Sequence, residues 1–135
     1  MAHDARAVAN YFLKKARERS DALTPMQIIK LVYISHGWEL AILNNPLIDE
    51  KVHAWKYGPV IKSVYDSFKK YGSNPVLKYA TNSNGEVIES DFDEDTKSIL
   101  DFVMKKYGYM DGLALSSLTH KKNTPWYKAW NEGGH

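Results

Sequence analysis

The stretch "TPMQIIKLVYISHGWELAIL", residues 24–43, decides the fold. Thr24 can cap a helix, Pro25 suits the first helical position, and Gln27 can close a capping box. Ile28, Ile29, Leu31, Val32, Tyr33, Ile34, Trp38, Leu40, Ala41 and Leu43 then cover more than one helical face. A helix apolar on more than one face is a buried helix, so this segment predicts the centre around which the chain packs. Asn44, Asn45 and Pro46 end it.

Upstream, "DARAVANYFLKKARERS" places Ala5, Val8, Ala9, Phe12 and Ala16 on one face and Arg6, Lys14, Lys15 and Arg17 in water, an amphipathic helix. Downstream, "PLIDEKVHAWKYG" reads as a small hairpin or extended loop around Asp49-Glu50-Lys51. Pro59 is expected to open another helix, with Val60, Ile61, Val64, Tyr65, Phe68 and Tyr71 at helical spacing and Gly72 as its cap. Asn84-Gly85 predicts a type I′ turn and a second hairpin over 76–89. Asp93 starts a helix that carries Ile99, Leu100, Val103, Met104 and Tyr107 and stops at Gly108. A short helix follows over 112–118, and Thr124-Pro125 marks a further start. The fold class expected is mainly α: a compact helical bundle of about five to six helices with one or two small β-hairpins.

The 135 residues, 44% hydrophobic and 25% charged, are one domain's worth of globular chain. A net charge of +2 is too balanced to point to nucleic acid or an anionic membrane. The absence of cysteine excludes disulfides and thiolate metal sites. Residues 1–20 lack the apolar run of a signal peptide, and Lys30, Ser35, His36 and Glu39 interrupt 28–43 as a membrane span. A cytoplasmic protein is expected.

Signs of catalysis are missing. No phosphate-binding glycine loop occurs, and no two of His3, His36, His53, His120 and His135 are three or four residues apart. Ser35-His36 are neighbours that point apart on a helix, with no elbow glycines. The acidic run from Glu89 to Asp95 fits a solvated helix N-terminus. No catalytic residue, metal or cofactor is expected.

Aromatic content, 13%, is the notable feature. Phe12, Tyr33, Trp38, Tyr65 and Phe68 fall in apolar stripes, whereas Trp55, Tyr57, Trp126, Tyr127 and Trp130 sit at irregular corners. Tryptophan and tyrosine supply contact area at low entropic cost, so these corners are either core plugs or partner surfaces. In "HAWKYGPV", 53–60, alternation puts Trp55 and Tyr57 on one face and Lys56 on the other. The reading favoured is aromatics inside, with Lys56 and His53 near the surface. In "LTHKKNTPWYKAW", 118–130, His120, Lys121, Lys122 and Trp130 form a candidate partner-binding face with Trp126 beneath it.

Four segments, "LTPMQIIKLVYISHGWELA", "AWKYGPVIKSVYDSFKKYG", "SILDFVMKKYG" and "LSSLTHKKNTPWYKAW", together resemble the SocA-like Panacea domain antitoxin family, including phage proteins called GepA. The resemblance spans about residues 5–130 and lies in the order of Lys-Leu-x-Tyr, Ala-Trp-x-Tyr-Gly-Pro-Val, Leu-Thr-His and Pro-Trp. It marks Lys30, Leu31, Tyr33, Trp55, Tyr57, Gly58, Pro59, Tyr65, Leu118, Thr119, His120, Pro125 and Trp126 as signature positions, most of them structural. It implies a single antitoxin domain over 1–135, without the further segment into which relatives commonly run past Pro-Trp. It also implies a cognate toxin as partner, neutralised by direct binding or delivered to ClpX of the ClpXP protease. The alternative is a phage-encoded modulator of a host defence system. Nucleic-acid binding through Lys14, Lys15, Arg17 and Arg19, or Lys121 and Lys122, is a weaker option, and the oligomeric state stays open.

Overall fold

A computed structural model describes residues 2–56 and 58–119. Among the described residues, five α-helices and one two-stranded antiparallel sheet follow in the order α1 (Ala5–Glu18), α2 (Pro25–Leu43), β1 (Val52–Trp55), β2 (Gly58–Ile61), α3 (Lys62–Phe68), α4 (Glu94–Tyr107) and α5 (Gly112–Thr119). A 3₁₀ turn, Lys69–Tyr71, extends α3. The mainly α architecture agrees with the sequence reading.

The start of α2 is built as its sequence dictates. Gln27 N–H donates to Thr24 Oγ1 (3.4 Å), and Thr24 N–H donates to Gln27 Oε1 (2.8 Å), a reciprocal capping box. Asn44 closes the helix in the left-handed conformation, φ 57°. Around α2 pack α1, α3, α4, α5 and β2. Its inner turns bury Ile28, Ile29, Leu31 and Val32 against Val8, Phe12, Ile61, Leu100 and Leu115 in one apolar cluster. The C-terminal turns emerge from the core, so Leu40 and Ala41 are exposed although the apolar run predicts their burial.

α1 buries Ala5, Val8, Ala9, Phe12 and Ala16 as the periodicity requires, behind an Asp4 cap. α4 starts behind Asp93, whose carboxylate accepts from Thr96 N–H at 2.8 Å. At the start of α5, Asp111 Oδ1 accepts from Ala114 N–H at 2.8 Å. There a β-carbon on Gly112 would meet Met26 Cγ at 2.8 Å, so the absent side chain lets α5 close onto α2.

Two chain reversals differ from expectation. The first hairpin lies further along than the Asp49-Glu50-Lys51 reading, pairing Val52 with Ile61, His53 with Val60, Ala54 with Pro59 and Trp55 with Gly58. Pro59 therefore sits in a strand and does not open a helix. Gly58, at φ 108°, turns the chain into β2, and α3 begins only at Lys62. No side chain at Ile61 caps α3; Glu50 does so from across the loop, accepting from Ser63 N–H at 2.8 Å and from the Ser63 hydroxyl. In the second reversal only Gly85 has positive φ (80°), so the turn is not type I′, which needs positive φ at Asn84 as well. Asn82 Oδ1 accepts from Asn84 N–H (2.9 Å) and Glu86 N–H (3.0 Å) and shapes the turn itself. The predicted hairpin shrinks to a single bridge, Thr81 with Val87.

Candidate functional site

Seven of the signature positions, Lys30, Leu31, Tyr33, Gly58, Pro59, Leu118 and Thr119, lie on α2, β2 and α5, elements that pack against one another. Lys30 is 1% exposed, and its Nζ donates to the Pro59 carbonyl at 3.0 Å. Burial pushes its ammonium pKa down to about 7. Leu31 beside it is fully buried, and Tyr33 is half-buried, its hydroxyl pKa raised by desolvation. Gly58 and Pro59 are buried in β2. At the end of α5, Leu118 is half-buried, and the buried Thr119 hydroxyl donates to the carbonyls of Leu115 (3.0 Å) and Ser116 (3.1 Å). Lys-Leu-x-Tyr and Gly-Pro are thus tied directly by the Lys30–Pro59 hydrogen bond, with Leu-Thr at the end of the adjoining α5.

The outer face of the hairpin is different in character. His53 and Trp55 lie on the same side of β1, with ring centroids 6.3 Å apart, and both are half-buried. Trp55 meets the ring of Tyr65 on α3 edge-on, centroids 5.1 Å apart, and Tyr65 is 36% exposed. Lys56 is exposed at the reversal itself. Beyond Tyr65, Asp66 pairs with Lys62 at 2.7 Å and Lys69 at 3.4 Å. The result is a ledge of three rings flanked by charges, with an offset geometry that aromatic contacts favour. Tyr57 lies outside the described residues, as do His120, Lys121, Lys122, Pro125, Trp126 and Trp130.

Ser35 and His36 serve separate neighbours. The Ser35 hydroxyl donates to Leu31 O at 2.8 Å, while His36 Nδ1 accepts from Leu47 N–H at 3.2 Å. Burial lowers the His36 pKa, consistent with a neutral ring that accepts. The basic run of α1 is partly neutralised: Lys15 lies 3.7 Å from Glu18 and 3.8 Å from Asp101, and Arg19 lies 3.2 Å from Asp21. Among the described residues, no three His, Asp or Glu side chains converge to hold a metal ion. Among them also, no helix is long and apolar enough to cross a membrane.

Sequence reasoning missed Asn10. It looks like a polar interruption of α1, yet it is 5% exposed and its amide donates to the carbonyls of Ala80 and Ile88, both at 2.9 Å. Its Oδ1 accepts from Ala80 N–H at 2.8 Å. An asparagine inside the apolar stripe of a helix was the available signal, since a buried amide needs partners.

The described chain is a small helical domain in which buried residues of α2, β2 and α5 lie beside a half-exposed aromatic ledge. The antitoxin SocA-like Panacea domain family matches residues 28–127, and the chain belongs to that family. Antitoxin SocA of Caulobacter vibrioides (strain NA1000 / CB15N) is 34% identical over 128 residues, covering 91% of this chain and 68% of the relative. No solved structure matches the chain.

Proposed function

We propose that this protein is a non-enzymatic antitoxin that neutralises a cognate toxin by stoichiometric protein–protein contact, as a single domain acting in the cytoplasm. The observation that carries the reading is the likeness to antitoxin SocA along nearly the whole chain. The aromatic ledge supports it, because half-exposed Trp and Tyr side chains anchored on a packed hairpin are what interface hot spots are made of. The contact face proposed comprises His53, Lys56 and Tyr57 at the hairpin, with His120, Lys121, Lys122 and Trp130 from the C-terminal segment. Two modes are compatible with such contact: occlusion of the toxin, or presentation of the toxin to ClpX.

Co-expression with the product of the adjacent gene tests the proposal. Growth inhibition by that product should be relieved, and the two chains should co-elute on size exclusion. Absence of both rescue and complex with every adjacent product would overturn it. Depletion of ClpX then separates the two modes: rescue that persists means occlusion, and rescue that disappears means delivery to the protease.

A further inference from the structure

We propose that the concave face between α1 and the segment 77–81 is a docking site for an acidic peptide segment of a partner protein, one that carries an apolar side chain among its carboxylates. This face is a hollow of about 340 Å³ whose wall includes Arg17, Lys70, Lys78, Tyr71, Tyr79 and Leu77, and among the described residues no carboxylate lines it. Elsewhere Lys15, Arg19, Lys62, Lys69 and Lys97 pair with acidic neighbours, whereas Lys14, Lys51, Lys105 and Lys106 have no carboxylate within ion-pair distance among the described residues. Among the described residues, Arg17, Lys70 and Lys78 have no carboxylate within ion-pair distance, so three cations that face one hollow are uncompensated. The adjoining hollow beyond Tyr79 is the contrast, since there Lys14 and Lys97 stand with Glu86 and Glu89.

Two of the cations also stand beside aromatic rings. The Arg17 guanidinium lies 4.2 Å from the centroid of the Tyr79 ring and donates to the Leu77 carbonyl. Lys70 Nζ stands 5.6 Å from the Tyr71 ring. A planar guanidinium stacked on a ring is preorganised for a carboxylate, because little side-chain freedom remains to be lost on binding. Leu77 is 70% exposed and Val87 43% exposed at the rim, and these two supply an apolar contact beside the charges. Charge complementarity therefore selects an acidic occupant and the rim adds an apolar anchor. A phosphodiester strand fits less well, because its affinity grows with cations spaced along a track and these are gathered in one hollow. The inference holds whether or not a toxin uses the same face.

The test is fluorescence polarisation with the whole protein and a labelled peptide carrying about five glutamates around one leucine. The same peptide with glutamines and a single-stranded oligonucleotide of similar length serve as comparisons. The glutamate peptide should bind, more weakly as salt rises, and the glutamine peptide should not. Lys70→Glu with Lys78→Glu should weaken binding at least about tenfold, and Lys70→Gln with Lys78→Gln by less. Lys51→Glu with Lys105→Glu, which changes net charge equally at exposed sites elsewhere, should alter it less than about twofold. Circular dichroism confirms that each variant is folded, and should one reversal variant fail to fold, the glutamine variant decides. Failure of the glutamate peptide to bind, or equal weakening in the two reversal variants, would overturn the proposal. So would tighter binding of the oligonucleotide at the same residues, which would make the face a nucleic-acid surface.

Discussion

The two reversals, at 52–61 and 79–88, invert the strength of their sequence signals. Asn84-Gly85 is the stronger turn motif, yet it yields one bridge; the stretch around Gly58-Pro59 reads as a helix start, yet it yields a ladder of four pairs. Burial separates them. β2 is buried along its length, with Ile61 fully enclosed beneath α2, whereas 81–87 is exposed throughout. Turn residues make a chain reverse, but an apolar neighbour on the strand face is what makes a ladder persist. Each reversal is also pinned by one buried polar side chain from a helix: Lys30 of α2 on Pro59, Asn10 of α1 on Ala80 and Ile88.

If that parallel is right, the outer reversal depends most on its pin. Asn10→Ala should cost roughly 3 kcal/mol, since it removes three hydrogen bonds and leaves buried backbone groups without partners. Urea unfolding measures the loss, and amide exchange should rise at Ala80 and Ile88. A cost under about 0.5 kcal/mol would mean that water replaces the amide and that the comparison is false.

At the inner reversal the outer ring face is the next test. Trp55 is half-buried, so Trp55→Ala should cost about 2 kcal/mol, less than the ~3–5 of a fully buried tryptophan. Lys56→Ala should move stability by ~0.5 kcal/mol or less. A Trp55→Ala protein that melts like the wild type but no longer binds partner would make Trp55 an interface anchor alone.

The Lys30 pin gives a pH signature. Its folded pKa, about 7, lies below the unfolded value of 10.5, so between these pH values the unfolded chain binds more protons. Stability should therefore rise with pH over roughly 8 to 9.5, by about 1 kcal/mol per unit. Above that range tyrosines with raised pKa, Tyr11 and Tyr33, act in the opposite direction. Lys30→Met should flatten the rise; a slope that survives the substitution belongs to another group.

Smallest is the turn itself. Gly85 has φ 80° and open space where a β-carbon would stand, so Gly85→Ala should cost about 1 kcal/mol through backbone strain alone. Loss of the whole outer reversal on this change would shift the weight from the Asn10 pin to the turn.

Local chemistry made the helices legible. The bounds of α2 follow from Thr24, Pro25, Gln27 and Asn44, and the start of α4 from Asp93, because caps and apolar periodicity act within a few residues. The family, too, is carried by residue order, and the sequence alone reached it. Only the tertiary structure decided that Pro59 lies in a strand, that Lys30 is buried beneath it, and that Asn10 holds a loop seventy positions away. The basic hollow is of the same kind: Arg17, Lys70 and Lys78 are ordinary surface cations in the sequence and become one site only when α1 meets the segment after α3. Such contacts join residues far apart in the chain, and their energy is set by what surrounds them on folding, which local propensity does not contain.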